Sequence, residues 1–246
     1  MEPRDLYLRS ICKKPEIHGL NSYVAHLPLV QWLDTLEFHQ PVTFLVGENG
    51  SGKSTLLEAI AVAWGFNPEG GSRNFNFSTQ QTHSPLAQYL KLVRGPYRAK
   101  DGFFLRAESF YNVATEIDRL DTDGTLVRSY GGISLHGQSH GESFLSLMLH
   151  RFGGQGLYLL DEPESALSPT RQLAALSVIH QLVQQDSQFI IATHSPILMA
   201  YPQAEILVLD EEGLHVTPYR QTEHYQLTRR FLEAPEKMLA ILLEED

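Results

Sequence analysis

The chain has 246 residues, a net charge of −10 with histidines neutral, 42% hydrophobic and 10% aromatic residues, and a single cysteine, Cys12. That apolar content suits a buried core and excludes a disordered chain, and one cysteine excludes an internal disulfide or a four-cysteine zinc site. The acidic balance counts against a free-standing nucleic-acid binder, which needs a basic face to displace counterions.

No apolar run reaches the roughly 18 residues of a membrane span. The start, MEPRDLYLRSICKK, has no apolar signal-peptide core. The expected setting is a reducing cytoplasm.

Residues 5–12 (DLYLRSIC) and 23–30 (YVAHLPLV) are expected as short edge strands or loops, with Pro15 and Pro28 as breakers. PVTFLV (41–46) is a buried strand, and STLLEAIAVA (54–63) a helix apolar on most faces. Residues 67–85 are turn-rich and polar, the composition of a long functional loop. Ser84 and Pro85 are expected to start a helix, PLAQYLKLV.

DGFFLRAESF (101–110) is a turn and a strand, and 121–141 is hairpin-like and then glycine-rich. ESFLSLMLHRF (142–152) has helical apolar spacing. GLYLLDE (156–162) is a strand ending in carboxylates, Ser168 and Pro169 cap a helix, and QFIIATHS (188–195) is a strand ending in a histidine. Residues 205–219 form a hairpin around Glu212-Gly213, and the tail from Thr222 is helical.

Apolar strands alternating with helices give an α/β fold with a mainly parallel sheet covered on both faces. Ligands of such sheets bind at the carboxyl ends of the strands, where each motif below falls.

GENGSGKST supplies the pattern G-x-x-x-x-G-K-[ST] through Gly47, Gly52, Lys53 and Ser54. Glycines at 47, 50 and 52 let successive amides face one anion, and the next helix adds its positive end. Gly47, Glu48, Asn49, Gly50, Ser51, Gly52, Lys53, Ser54 and Thr55 are therefore the candidate nucleotide-binding stretch. Lys53 places a cation on the outer phosphates, and the Ser54 hydroxyl can ligate Mg²⁺.

Asp161 can hold Mg²⁺ at the end of its strand, and the adjacent Glu162 can polarise an attacking water, which favours hydrolysis over phosphoryl transfer to a substrate hydroxyl. His194 can donate to the terminal phosphate and align the water. Ser139, the Gly141 amide and the helix that follows make a second anion site. One nucleotide does not need two cradles on one chain, so this one is expected to meet the phosphate held by another copy.

The order GENGSGKST, QSHGES, LYLLDEPESALS, ATHS resembles the ATP-binding-cassette ATPase superfamily over about residues 40 to 215. Ser139-His140-Gly141-Glu142 resembles its signature, altered at the second and fourth positions. Ser165-Ala166-Leu167-Ser168 resembles the D-loop, and His194 the switch histidine. DEPESALSP and ATHSPILMAYP look most like small stand-alone ATPases related to the chromosome-maintenance and repair type.

The resemblance implies a P-loop NTPase with an antiparallel edge subdomain. It implies one domain over 1–246, with a helical and signature region at about 67–152 and a C-terminal helix at about 222–246. It further implies ATP and Mg²⁺ as cofactors. It also implies a head-to-tail homodimer with each ATP between Lys53 of one copy and Ser139, Gly141 and Glu142 of the other.

The segment between Lys53 and Ser139 is too short for a coiled-coil arm. The glutamine-loop position falls by strand order on FFLRAESFYNV, which offers Arg106 and Glu108, while Gln80 and Gln81 come sooner. Tyr23, Tyr7 and Phe38 are the candidates to stack on adenine.

A soluble switch ATPase in DNA repair or genome defence is the leading function. The alternatives are the nucleotide-binding subunit of a membrane transporter, with a permease partner, and a weakly hydrolysing nucleotide-binding scaffold. A P-loop kinase fits less well. Arg94, Arg98, Lys100 and Arg106 form a solvated face or touch a DNA or other polyanionic partner.

Overall fold

The computed structural model describes residues 1, 5–19, 22–72, 84–121, 132 and 134–243. Gln80, Gln81 and most of the hairpin expected after residue 121 lie outside these.

Among the described residues the strands and helices are, in chain order, β1 (Leu8–Lys13), α1 (Pro28–Trp32), β2 (Thr35–Glu37), β3 (Val42–Gly47), α2 (Lys53–Trp64), β4 (Leu90–Arg94), β5 (Asp101–Arg106) and α3 (Phe110–Leu120). They continue with α4 (His140–Arg151), β6 (Gly156–Asp161), α5 (Pro169–Gln184), β7 (Gln188–Ala192), β8 (Glu205–Asp210), β9 (Gly213–Val216), α6 (Glu223–Glu233) and α7 (Pro235–Leu243).

The main sheet has the order β5-β6-β7-β3-β8-β9. All its pairs are parallel except β8 with β9. β3 lies inside this sheet with every residue buried, as expected for a parallel strand covered on both faces. Alternate residues feed two cores. Leu45, Leu157, Leu159, Ile190 and Leu207 join α2 and the small sheet. Phe44, Tyr158, Leu160, Phe189 and Ile191 join α3, α4 and α5. The small sheet, antiparallel in the order β2-β1-β4, is the edge subdomain.

Two local expectations change. Residues 23–30, expected as an edge strand or loop, form a 3₁₀ turn, Tyr23–His26, capped by Ser22, and Pro28 opens α1. Proline fits a helix's first turn because its missing N–H has no partner there anyway. Ser84 caps only a 3₁₀ helix, Pro85–Tyr89, after which the chain extends into β4 and pairs with β1. Pairing overrides local helical preference.

Within 67–152 the described residues contribute β4 to the small sheet, β5 to the edge of the main sheet, and the helices α3 and α4. The tail is two helices, α6 and α7, parted at Ala234. Among the described residues no helix is long and apolar enough to cross a membrane.

Candidate functional site

β3 delivers the chain to Gly47, which is pressed against β8. A Cβ there would lie 2.5 Å from the Leu209 carbonyl oxygen, at a φ of +155°. Only glycine fits so close an approach. Gly52, at φ +104°, turns the chain into α2, which has no side-chain cap. The first amides of α2 are therefore left to an external acceptor. Ser54 and Thr55, both half-buried, lie in that first turn.

Lys53 is 4% exposed. Its Nζ donates to the carbonyls of Gly47 at 2.8 Å and Glu48 at 2.7 Å. Burial pulls its pKa down, while Glu162, Asp161, Glu164 and Glu48 act the other way.

The carboxyl ends of β6 and β7 bring the acids and the histidine to the same loop. Asp161 is 4% exposed, and burial pushes its pKa up to about 6, with Arg106 and the Ser54 side chain offsetting part of the rise. Its Oδ2 is 3.2 Å from Arg106 Nε, while Oδ1 is buried without a hydrogen-bond partner.

An unpaired carboxylate oxygen beside a hydroxyl suits a hard divalent cation such as Mg²⁺, which takes few protein ligands and keeps phosphate and water oxygens. Among the described residues no group of three or more His, Cys, Asp or Glu could hold a metal ion by itself.

Glu162 adopts a left-handed φ of 47°, a strained backbone for a non-glycine residue. Its Oε1 lies 3.9 Å from His194 Nε2. With Glu48, Asn49, Glu164, Ser165 and His194 it lines an open cleft of about 470 Å³. His194 donates its backbone amide to Glu164 at 2.6 Å, and Thr193 donates its hydroxyl to the same carboxylate at 2.7 Å.

Behind these, Gln172 of α5 joins the two loops: its amide donates to the Leu167 carbonyl at 2.9 Å, and its oxygen accepts the Ser195 hydroxyl at 2.5 Å.

Arg106, one of the two residues expected by strand order at the glutamine loop, lies at the end of β5. It bridges Glu58 at 2.7 Å, Asp161 at 3.2 Å and Glu108 at 3.3 Å.

On the other side of the phosphate loop, a cleft of about 750 Å³ is lined by Gly47 to Ser51, the β8–β9 hairpin, Trp32 and the start of α6. The adenine candidates do not line it. Tyr7 and Phe38 are core residues at 4% and 3% exposure, and Tyr7 donates its hydroxyl to the Asp186 carbonyl. Tyr23 is exposed but lies outside this cleft. The aromatic that lines it is Trp32, 55% exposed, its ring against Gly213 of β9. Reading residues 23–30 as an edge strand or loop left no helix to carry Trp32 towards the phosphate loop.

Ser139, Gly141 and Glu142 open α4 and line neither cleft. Glu142 Oε2 accepts the Ser139 amide at 3.1 Å and its hydroxyl at 2.7 Å, while Oε1 meets Arg171 at 2.8 Å. The Ser139 hydroxyl, its amide and Arg171 hold the Glu142 carboxyl below its usual range. Gly141 packs on the D-loop: a Cβ would lie 2.8 Å from the Ala166 carbonyl oxygen.

The structure thus brings Lys53, Asp161, Glu162 and His194 together and keeps the Ser139 motif apart. Sequence reading missed Trp32, Glu164, Gln172 and His224, which meets His194 from α6.

A family profile described as "AAA domain" matches residues 16–130. A second, "AAA domain, putative AbiEii toxin, Type IV TA system", matches residues 125–200. An "Uncharacterized ABC transporter ATP-binding protein" of Haemophilus influenzae is 29% identical over 202 residues, 75% of each chain. The "Hemin import ATP-binding protein HmuV" of Photobacterium profundum is 29% identical over 230 residues, 83% of this chain and 79% of its own. Among solved structures, the SMC head domain from Thermotoga maritima is similar at 16% identity and a TM-score of 0.46, covering 87% of this chain and 99% of that one. Together the two profiles and these relatives support an ATPase of the ATP-binding-cassette superfamily.

Proposed function

We propose that the protein is a switch ATPase whose nucleotide site is completed by a second copy of the chain. The observation that carries this reading is the position of Ser139 and Gly141. They start a helix whose N-terminus suits an anion, yet line neither cleft beside their own phosphate loop. A head-to-tail homodimer would set that helix start against the ATP held by the partner's loop.

In this reading residues 47 to 55 cradle the phosphates, Lys53 neutralises the outer ones and Trp32 carries the adenine. Asp161 and Ser54 would hold Mg²⁺, which when bound supplies charge neutralisation on the phosphates. Glu162 takes the proton of the attacking water, and His194 donates to the terminal phosphate. ATP binding closes the dimer and hydrolysis opens it. A cytoplasmic setting fits these roles.

Glu162→Gln keeps the shape and removes the base, so it should trap an ATP-bound dimer. Size-exclusion chromatography with ATP reads this directly, and a variant that stays monomeric would sink the shared-site reading. DNA, another protein and a membrane permease are the candidate partners. The permease reading draws on the transporter names of two relatives, while Arg106 at the glutamine-loop position favours the stand-alone switch. ATPase rates with and without DNA test the first partner, and co-purification of a permease tests the last.

A further inference from the structure

His224 lies on α6, outside the roles assigned above. Its Nε2 is 3.1 Å from Nδ1 of His194, with ring centroids 5.3 Å apart. The start of α6 is fixed by Thr222, 2% exposed, whose hydroxyl donates to the Tyr219 carbonyl at 2.8 Å. The Tyr219 hydroxyl in turn donates to the Pro196 carbonyl at 2.8 Å, two residues beyond His194. Two contacts therefore clip α6 to the loop that carries His194.

Between two neutral imidazole nitrogens there is one hydrogen, so one ring donates and the other accepts. Burial holds both histidines below the usual range, helped at His194 by Lys53 and at His224 by His194. Both rings are therefore neutral at pH 7. The other nitrogen of His194, Nε2, is buried without a partner, 3.9 Å from Glu162 Oε1. A bare lone pair there would face a carboxylate on one side and the phosphates on the other. An N–H faces both favourably. The hydrogen of His194 belongs on Nε2, its Nδ1 must accept, and His224 is left as the donor.

We propose that His224 is a positioning residue that fixes the tautomer of His194, holding its N–H on the side of the terminal phosphate. The proposal rests on the reading of His194 as the group that meets that phosphate. The partner of one imidazole nitrogen decides what the other presents, and a wrong tautomer is costly even where geometry is intact. α6, whose start also lines the cleft assigned to the nucleotide, then acts on the reaction through His194.

The test is the ring-nitrogen spectrum of the ¹⁵N-labelled full chain, read without ATP, with the His194 signals assigned by their loss in His194→Asn. Wild type should show His194 protonated on Nε2. His224→Glu, whose carboxylate can only accept at that contact, should move the proton to Nδ1 and lower kcat about 10- to 100-fold. A wild-type His194 protonated on Nδ1, or an unchanged Nε2–H in His224→Glu, overturns the proposal. Because the spectrum needs neither ATP nor a dimer, it can fail while the shared-site reading stands, and the reverse.

Discussion

Glu164 accepts the backbone amide of His194 at 2.6 Å. Its second oxygen takes the Thr193 hydroxyl, so one half-buried carboxylate holds the chain that leaves β7. Burial raises its pKa, and the two donors work against that rise. Glu164→Gln keeps one acceptor and exchanges the other for a donor, leaving an amide or a hydroxyl unpaired at a cost of about 1–3 kcal/mol. The expected result is a loose His194, with kcat down about tenfold and nucleotide affinity nearly unchanged. Paired ATPase and nucleotide-binding titrations read the two effects separately, and an unaltered kcat would count against the clamp.

Asp161 is costly to keep ionised. Its folded pKa of about 6 stands above the ~3.9 of an unfolded chain. Between those values the folded protein holds more protons than the unfolded one. The stability this group contributes is therefore fully present below about pH 4 and is lost as pH rises through about 6. Without divalent metal, Asp161→Asn should stabilise the protein by about 2 kcal/mol near pH 8. The gain should shrink towards pH 5. Urea midpoints in chelator at the two pH values measure it, and a gain equal at both would refute the assignment.

Trp32 offers an optical readout. It is 55% exposed and lines the phosphate-loop cleft, whereas Trp64 is 5% exposed in the core. ATP should quench the Trp32 emission. Base stacking on an aromatic ring contributes about 1–3 kcal/mol. Trp32→Ala should therefore weaken ATP roughly 5- to 150-fold, and Trp32→Phe far less. Fluorescence titration of the wild type and calorimetry of the variants test this, and an unquenched wild-type signal would rule the stack out.

Gly141 has no room for a methyl group, because the nearest atom is the backbone oxygen of Ala166. Arg171, also 2.8 Å from such a Cβ, can swing away, but the D-loop backbone cannot do so cheaply. Gly141→Ala should destabilise the fold by about 1–3 kcal/mol, visible as a lowered denaturation midpoint. An unchanged midpoint would show that the D-loop yields.

The parts of this molecule that a reader of the sequence can find are those encoded over short distances. β3, β6 and β7 announce themselves as uninterrupted apolar runs, and the loop at Gly47 to Ser54 as a grammar of glycines before a helix. The segment around Trp32 is harder, since its Val, Tyr and Leu content argues for a strand while Ser22 and Pro28 impose turns and a short helix. Tertiary pairing decided the fate of residues 90–94. Nothing near Glu164 or His224 marks their roles, because each acts on a residue about thirty positions away that only the fold brings close.

Gln172 has a bearing on how this protein can change over generations. One buried amide is shared by the Leu167 backbone carbonyl and the Ser195 hydroxyl, so a loop that shifts that carbonyl or lacks that hydroxyl strands half of it, at about 1–3 kcal/mol. The two segments are thereby bound to be inherited together, and a chimaera that grafts one without the other should accumulate compensating changes at position 172 first.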